Sequence, residues 1–265
     1  MSSPLWRKTR WSGKTAAQTG GTGELAVKIV IASGKGGVGK STLTAGLAAA
    51  LASDDKRVLA IDCDIGLRSL DLIFGVRETV VYDWGDILMN RCEPAQVLLG
   101  SGGPKLLPAP LQFDDAYTPE RFAEMVRFFE DDFDYILMDS PAGISGGFRL
   151  ASSAASMAVA VSTPDDICVR GTAAAVRELR DINIQTVRLV INRFGKKAVL
   201  KKYLLNIDET IDETGAQLLG VVPEDPDTVY NMYKGRSLPK SSPAVNAFRR
   251  IAQRIEGRQV PLKLS

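Results

Sequence analysis

The sequence predicts an α/β fold, a doubly wound and mostly parallel sheet flanked by helices. Three observations lead there. From Leu25 onward, short β-branched runs alternate with longer helical patterns. Several of those runs are apolar nearly throughout, as strands covered on both faces must be. The first run also passes straight into a glycine-rich loop and then a helical pattern, the order that places a loop at the carboxyl edge of such a sheet.

In chain order, strands are expected over residues 26–32, 57–61, 105–108, 135–138, 157–162, 186–191 and 219–222. Helices are expected over 40–52, 84–90, 119–133, 167–180 and 244–257. The third helix has the clearest start, because Thr118 supplies a cap oxygen and Pro119 occupies the first helical position. No repeat or linker interrupts residues 25–258, so 25–265 reads as a single domain. Residues 1–24 are basic and rich in Gly, Ser and Thr, with no apolar core of a signal peptide. They read as a flexible extension, whose Trp6, Arg7, Lys8, Arg10 and Trp11 leave room for a membrane-surface or partner contact.

Composition excludes several chemistries. The 265 residues contain no histidine, which removes histidine bases, triads and histidine-zinc sites. The 33 basic and 31 acidic residues nearly cancel, so no global field draws the chain to nucleic acid. Cys63, Cys92 and Cys168 lie far apart, with neither disulfide nor metal spacing, and a reducing cytoplasm is expected. No apolar run reaches the roughly 18 residues that a membrane-spanning helix needs.

The chemistry-bearing stretches stand at strand ends. Gly34-Lys35-Gly36-Gly37-Val38-Gly39-Lys40-Ser41 satisfies G-x-x-x-x-G-K-[ST] between the first strand and the first helix, with Thr42 following. Its glycines let backbone N–H groups converge on phosphates, and the helix dipole adds positive potential there. Lys40 is expected on the β and γ phosphates and the Ser41 hydroxyl on Mg²⁺. The second strand ends in Asp62-Cys63-Asp64. Asp62 is expected near the metal, and Asp64 to orient the attacking water. The fourth strand ends in Asp139, a second carboxylate for Mg²⁺, directly or through water, before the turn Ser140-Pro141-Ala142-Gly143. Asn192, followed by Arg193, ends a later strand and offers both a donor and an acceptor to an adenine edge; an ordinary strand-end asparagine is the alternative. Pro223, Glu224, Asp225 and Pro226 are expected to border the base.

A loop reading Lys-Gly-Gly-Val-Gly-Lys-Ser, with a lysine in its second position, resembles the deviant Walker A ATPases of the ParA/MinD family. The stretches IDCDIGLRSLDLIFGVRETVVYD, DSPAGI, GVVPED and YKGRSLP are similar to its MinD branch, and the likeness covers roughly residues 26–262. It implies a P-loop ATPase with ATP and Mg²⁺ as ligands, forming a homodimer in the ATP state in which Lys35 reaches the partner's phosphates. It further implies division-site placement with MinC-like and MinE-like regulators, in the cytoplasm or peripherally at the inner face of the membrane. DNA is not expected as a partner; a ParA-like partition role would need more than the cluster Lys196, Lys197, Lys201 and Lys202, which reads as a solvated face. An iron–sulfur carrier lacks its paired cysteines, a kinase its acceptor site or tyrosine-rich tail, and a non-hydrolysing scaffold would not need Lys35, Asp62, Asp64 and Asp139. The chain departs from the pattern at Ser69, where asparagine is usual, and at Gly171, where aspartate is common. No segment after Gly257 is long enough for the family's amphipathic membrane anchor, so an anchor is not evident.

Overall fold

A computed structural model describes residues 25–236, 239 and 241–264. The expectation for residues 1–24, Trp6 and Trp11 included, lies outside the described residues.

Among the described residues seven strands form one parallel sheet. They are β1 (Val27–Ala32), β2 (Val58–Asp62), β3 (Lys105–Leu107), β4 (Tyr135–Asp139), β5 (Met157–Ser162), β6 (Thr186–Phe194) and β7 (Gln217–Pro223), ordered β3-β2-β4-β1-β5-β6-β7. The expected strands are all present. The chain first builds outward from β1 to β2 and β3, returns through β4 to β1's near edge, and then continues on the other side with β5, β6 and β7. This reversal beside β1 opens a crevice outside the carboxyl ends of the strands.

The helices are α1 (Lys40–Ser53), α2 (Ser69–Ile73), α3 (Trp84–Leu88), α4 (Pro94–Val97), α5 (Pro119–Phe128), α6 (Gly146–Ser152), α7 (Asp166–Asp181), α8 (Lys196–Leu200), α9 (Ile207–Thr214), α10 (Pro226–Tyr233) and α11 (Pro243–Ile255). A 3-10 turn spans Arg77–Thr79. Side chains that alternate along each strand feed two cores. Ile29 and Ile31 of β1 and Val58 and Ala60 of β2 join α1 and α11 on one face. Val30, Ala32, Leu59 and Ile61 join α3, α5, α6 and α7 on the other.

Helix α1 carries no polar stripe, since α11, α2 and the sheet cover it nearly all round. Gly46 allows that closeness, because a Cβ there would lie 2.4 Å from the Phe248 ring. The predicted third helix stops at Phe128 rather than Phe133. Phe129 and Phe133 instead turn into the core, and the Asp134 carboxylate pairs with Arg57 at 2.7 Å. Strand β6 runs past its predicted end, with a register irregularity between Ile191 and Phe194.

Candidate nucleotide site

The glycine-rich loop, Asp62 and Asp139 lie at the carboxyl edge of β1, β2 and β4, with Asn192 and Arg193 near the end of β6 and Pro223 at the end of β7. Residues 33–39 form the loop between β1 and α1, with Gly37 at φ +81° and Gly39 at φ +95°, a region that side chains with a Cβ disfavour. Gly39 caps α1 without any side-chain hydrogen bond, so the first N–H groups of a fourteen-residue helix are left to a ligand. Gly34 lies against the backbone of α7, where a Cβ would come within 1.8 Å of the Gly171 carbonyl oxygen. The departure at Gly171 therefore sits in the wall of the loop, in a contact of two glycines. Asn192 is buried and donates from Nδ2 to the Val38 carbonyl at 2.7 Å, which fixes the loop's far side.

Lys40 is buried, and its Nζ donates to Ser33 Oγ at 3.1 Å. Burial lowers the pKa of this amine, while the charges of Asp139 and Asp64 oppose that shift. The two carboxylates at the strand ends are register partners, Asp62 on β2 and Asp139 on β4. Burial raises both. The charge of Asp139 adds to the rise at Asp62, and the Ser41 hydroxyl and Lys40 partly offset the rise at Asp139. Their oxygens are used differently. Asp62 accepts from the backbone N–H of Asp64 at 2.9 Å and of Leu70 at 3.0 Å, so both oxygens hold the segment between β2 and α2. Asp139 Oδ1 accepts from Thr44 Oγ1 at 3.2 Å, whereas its buried Oδ2 has no partner.

An unpartnered buried oxygen beside a like-charged neighbour fits a divalent cation, which would satisfy the oxygen and relieve the repulsion. Among the described residues no group of three or more Cys, Asp or Glu forms a complete metal cage. Mg²⁺ needs none, since it takes one or two carboxylates with water and substrate oxygens. Asp139 and Ser41 are the residues placed to hold it, and Asp62 stands next to them. Asp64 is half-buried and raised by burial, with Lys40 acting against the rise.

A cleft continues from the loop past Gly39, Thr42, Asn192, Arg193, Pro223 and Asp225. Glu224 is exposed and does not line it. Asp225 does, while its carboxylate caps α10 through Thr228 N at 3.0 Å and accepts from Ser242 Oγ at 2.6 Å. Lys35 is exposed at the loop's outer edge. Sequence reasoning missed Ser33 and Thr44. Both carried a signal, as hydroxyls at the end of an apolar strand and four residues after Lys40 on a buried helix.

Residues 29–238 match the family described as the CobQ/CobB/MinD/ParA nucleotide binding domain. The chain belongs to this family. Family members of this branch are close over nearly the whole length: the septum site-determining protein MinD of Bacillus subtilis is 38% identical over 245 residues, covering 89% of this chain and 91% of the relative. Among solved structures of the family, the MinC:MinD cell division protein complex of Aquifex aeolicus aligns with a TM-score of 0.83 at 36% identity, over 90% of this chain and 99% of that one. MinD from Pyrococcus horikoshii complexed with Mg-ADP aligns with a TM-score of 0.78 at 26% identity, over 87% and 96%. A ParA family ATPase of Chlorobium tepidum aligns at 22% identity, which shows the shared fold alone. The family is one of P-loop ATPases, and the partition reading is set aside because the relatives match along the MinD branch. Among the described residues no helix is long and apolar enough to cross a membrane.

Proposed function

We propose that this chain is a MinD-like ATPase that acts as an ATP-dependent dimerisation switch in division-site placement. The observation that carries the reading is the buried, unpartnered Asp139 Oδ2 on a carboxylate held against α1, next to Lys40 and the helix's uncapped start. A triphosphate with Mg²⁺ supplies what each lacks: anionic oxygens for the helix N–H groups and Lys40, and a cation for Asp139. Mg²⁺, once bound, neutralises charge developing on the phosphates. The residues 25–265 form the ATPase domain, and 1–24 are an extension to it.

In the reaction, the loop N–H groups and Lys40 hold the β and γ phosphates, and Asp64 orients the water that attacks the γ-phosphorus. Oxygen of that water bonds to phosphorus as the bond to the β-γ bridging oxygen breaks, giving ADP and phosphate. The Asn192 amide and the cleft beyond Thr42 receive the base, with Arg193, Pro223 and Asp225 at its rim. Lys35, exposed at the outer edge, serves the phosphates of a second copy, so hydrolysis removes the anion that joins the subunits. A MinC-like effector and a MinE-like activator act on the ATP dimer, in the cytoplasm or peripherally at the inner membrane face. The complexes of its relatives with MinC and with Mg-ADP support this reading.

Light scattering tests it. The mass should double with MgATP and stay monomeric with ADP, and Lys35→Ala should bind ATP yet remain a monomer. A mass unchanged by MgATP would defeat the switch. Sedimentation with anionic vesicles, with and without residues 1–24, tests the membrane contact; equal pelleting removes the extension from it.

A further inference from the structure

We infer that Ser33 is a positioning residue that sets the two loop lysines relative to each other, an inference that rests on the ATPase reading above. Ser33 follows the last residue of β1 and is wholly buried. A buried hydroxyl must find partners, and this one has two that matter. Its Oγ accepts from Lys40 Nζ at 3.1 Å and donates to the Lys35 carbonyl at 2.6 Å. The Ser33 carbonyl accepts from Gly143 N at 3.1 Å, in the turn that follows Asp139. One residue thus touches the ammonium that meets the phosphates, the peptide of the exposed lysine, and the second loop of the site.

Packing does not hold this part of the loop. A Cβ at Gly36 would meet only the Ala142 methyl at 3.6 Å, and at Gly37 it would meet nothing within 4 Å. Beyond the contact of Gly34 with Gly171, the Lys35 peptide is therefore oriented by the Ser33 hydrogen bond. The hydroxyl's single proton is committed to the Lys35 carbonyl, and Lys40 uses only a lone pair. When phosphates draw Lys40 away, the Lys35 peptide keeps its anchor. Lys40 can exchange partners without moving Lys35.

Ser33→Ala in the full chain separates this role from general damage to the loop. Lys40 loses only a resting partner, so ATP affinity should stay within about threefold. Hydrolysis at saturating MgATP should fall about ten- to a hundredfold, the scale of a slightly misplaced group. Ser33→Thr retains the hydroxyl and should restore the rate to within about threefold. A parallel loss of affinity and rate, or no loss of rate, overturns the assignment. A second readout needs no turnover: in the nucleotide-free protein, amide exchange over residues 34–38 should quicken about tenfold in Ser33→Ala and return in Ser33→Thr. Unchanged exchange overturns the anchoring role even where the enzyme is active. A parent chain that fails to hydrolyse ATP sinks the ATPase reading instead, and the exchange result then judges Ser33 by itself.

Discussion

Asp62 and Asp139 are the same residue type in register on neighbouring strands, yet only Asp139 keeps a free oxygen. Asp62 spends both oxygens on backbone N–H groups, which makes it the clamp of the segment that carries Asp64. From the sequence the two acids were equivalent strand-end carboxylates; only the path of residues 64–70 distinguishes them. Lys40 and Asp64 divide the work in the same way. Lys40 is the buried cation of the site, so Lys40→Ala should weaken ATP binding at least about a hundredfold, the scale of a lost buried charge pair, as titration calorimetry would read. Asp64 is half-buried. Asp64→Ala should still bind MgATP and dimerise, while phosphate release slows about 10²- to 10⁴-fold, the range of a lost proton-handling group. Normal turnover in that variant would remove Asp64 from the mechanism.

Asp225 ties two elements together. Its carboxylate accepts from Thr228 N at the start of α10 and from Ser242 Oγ and Ala244 N at the start of α11. Burial works against the ionised form, but the bonds from Ser242 and Thr228 outweigh it and hold Asp225 below its ordinary carboxylate pKa. A depressed carboxylate stabilises the fold above its unfolded pKa of about 4, and that contribution is lost as pH falls through the folded value. Asp225→Ala should therefore cost about 1–2 kcal/mol near pH 7, the scale of a lost helix cap, and the gap to the parent should narrow in urea melts below pH 4. A gap independent of pH would mean that the charge is irrelevant. The elements legible in the sequence are those with a long period or a strong cap. All seven strands were readable, several of them because both faces are apolar, and α1, α5, α7 and α11 because they span ten residues or more. The short α2, α4, α6 and α8 present too few turns for a period to show. Helix α9 was readable in principle, since Asn206 and Glu209 form a capping box and Gly215 ends it. Of the residues after β7 expected at the base, Pro223 and Asp225 line the cleft, whereas Glu224 is exposed and does not.

The whole molecule bears an electrostatic cost at its centre. The strand order reverses beside β1, which brings Asp62 and Asp139 together where the sheet opens, next to a loop that cannot pack its own apex. Burial raises both carboxylates, with the charge of Asp139 adding to the rise at Asp62 and that of Asp64 at Asp139, so the native state holds protons that the unfolded chain releases. The sign follows directly: without metal, this pair's contribution to stability falls as pH rises above the ordinary carboxylate range of about 4. The arrangement exchanges folding stability for a site that a divalent cation and phosphates complete. Asp139→Asn removes one of the opposed charges, so the metal-free protein should melt higher, by about 2–4 °C if the relief is about 1 kcal/mol. The same change removes the charge that receives Mg²⁺. In the parent, MgATP at about a hundred times its Kd should add about 2.7 kcal/mol to stability, and chelation of the metal should cut that gain sharply. In Asp139→Asn the gain from ATP should be nearly the same with Mg²⁺ or with a chelator. A variant that melts lower without metal would show that Thr44 and Ser41 more than offset the repulsion, and one that keeps the full Mg²⁺ response would move the cation to Asp62.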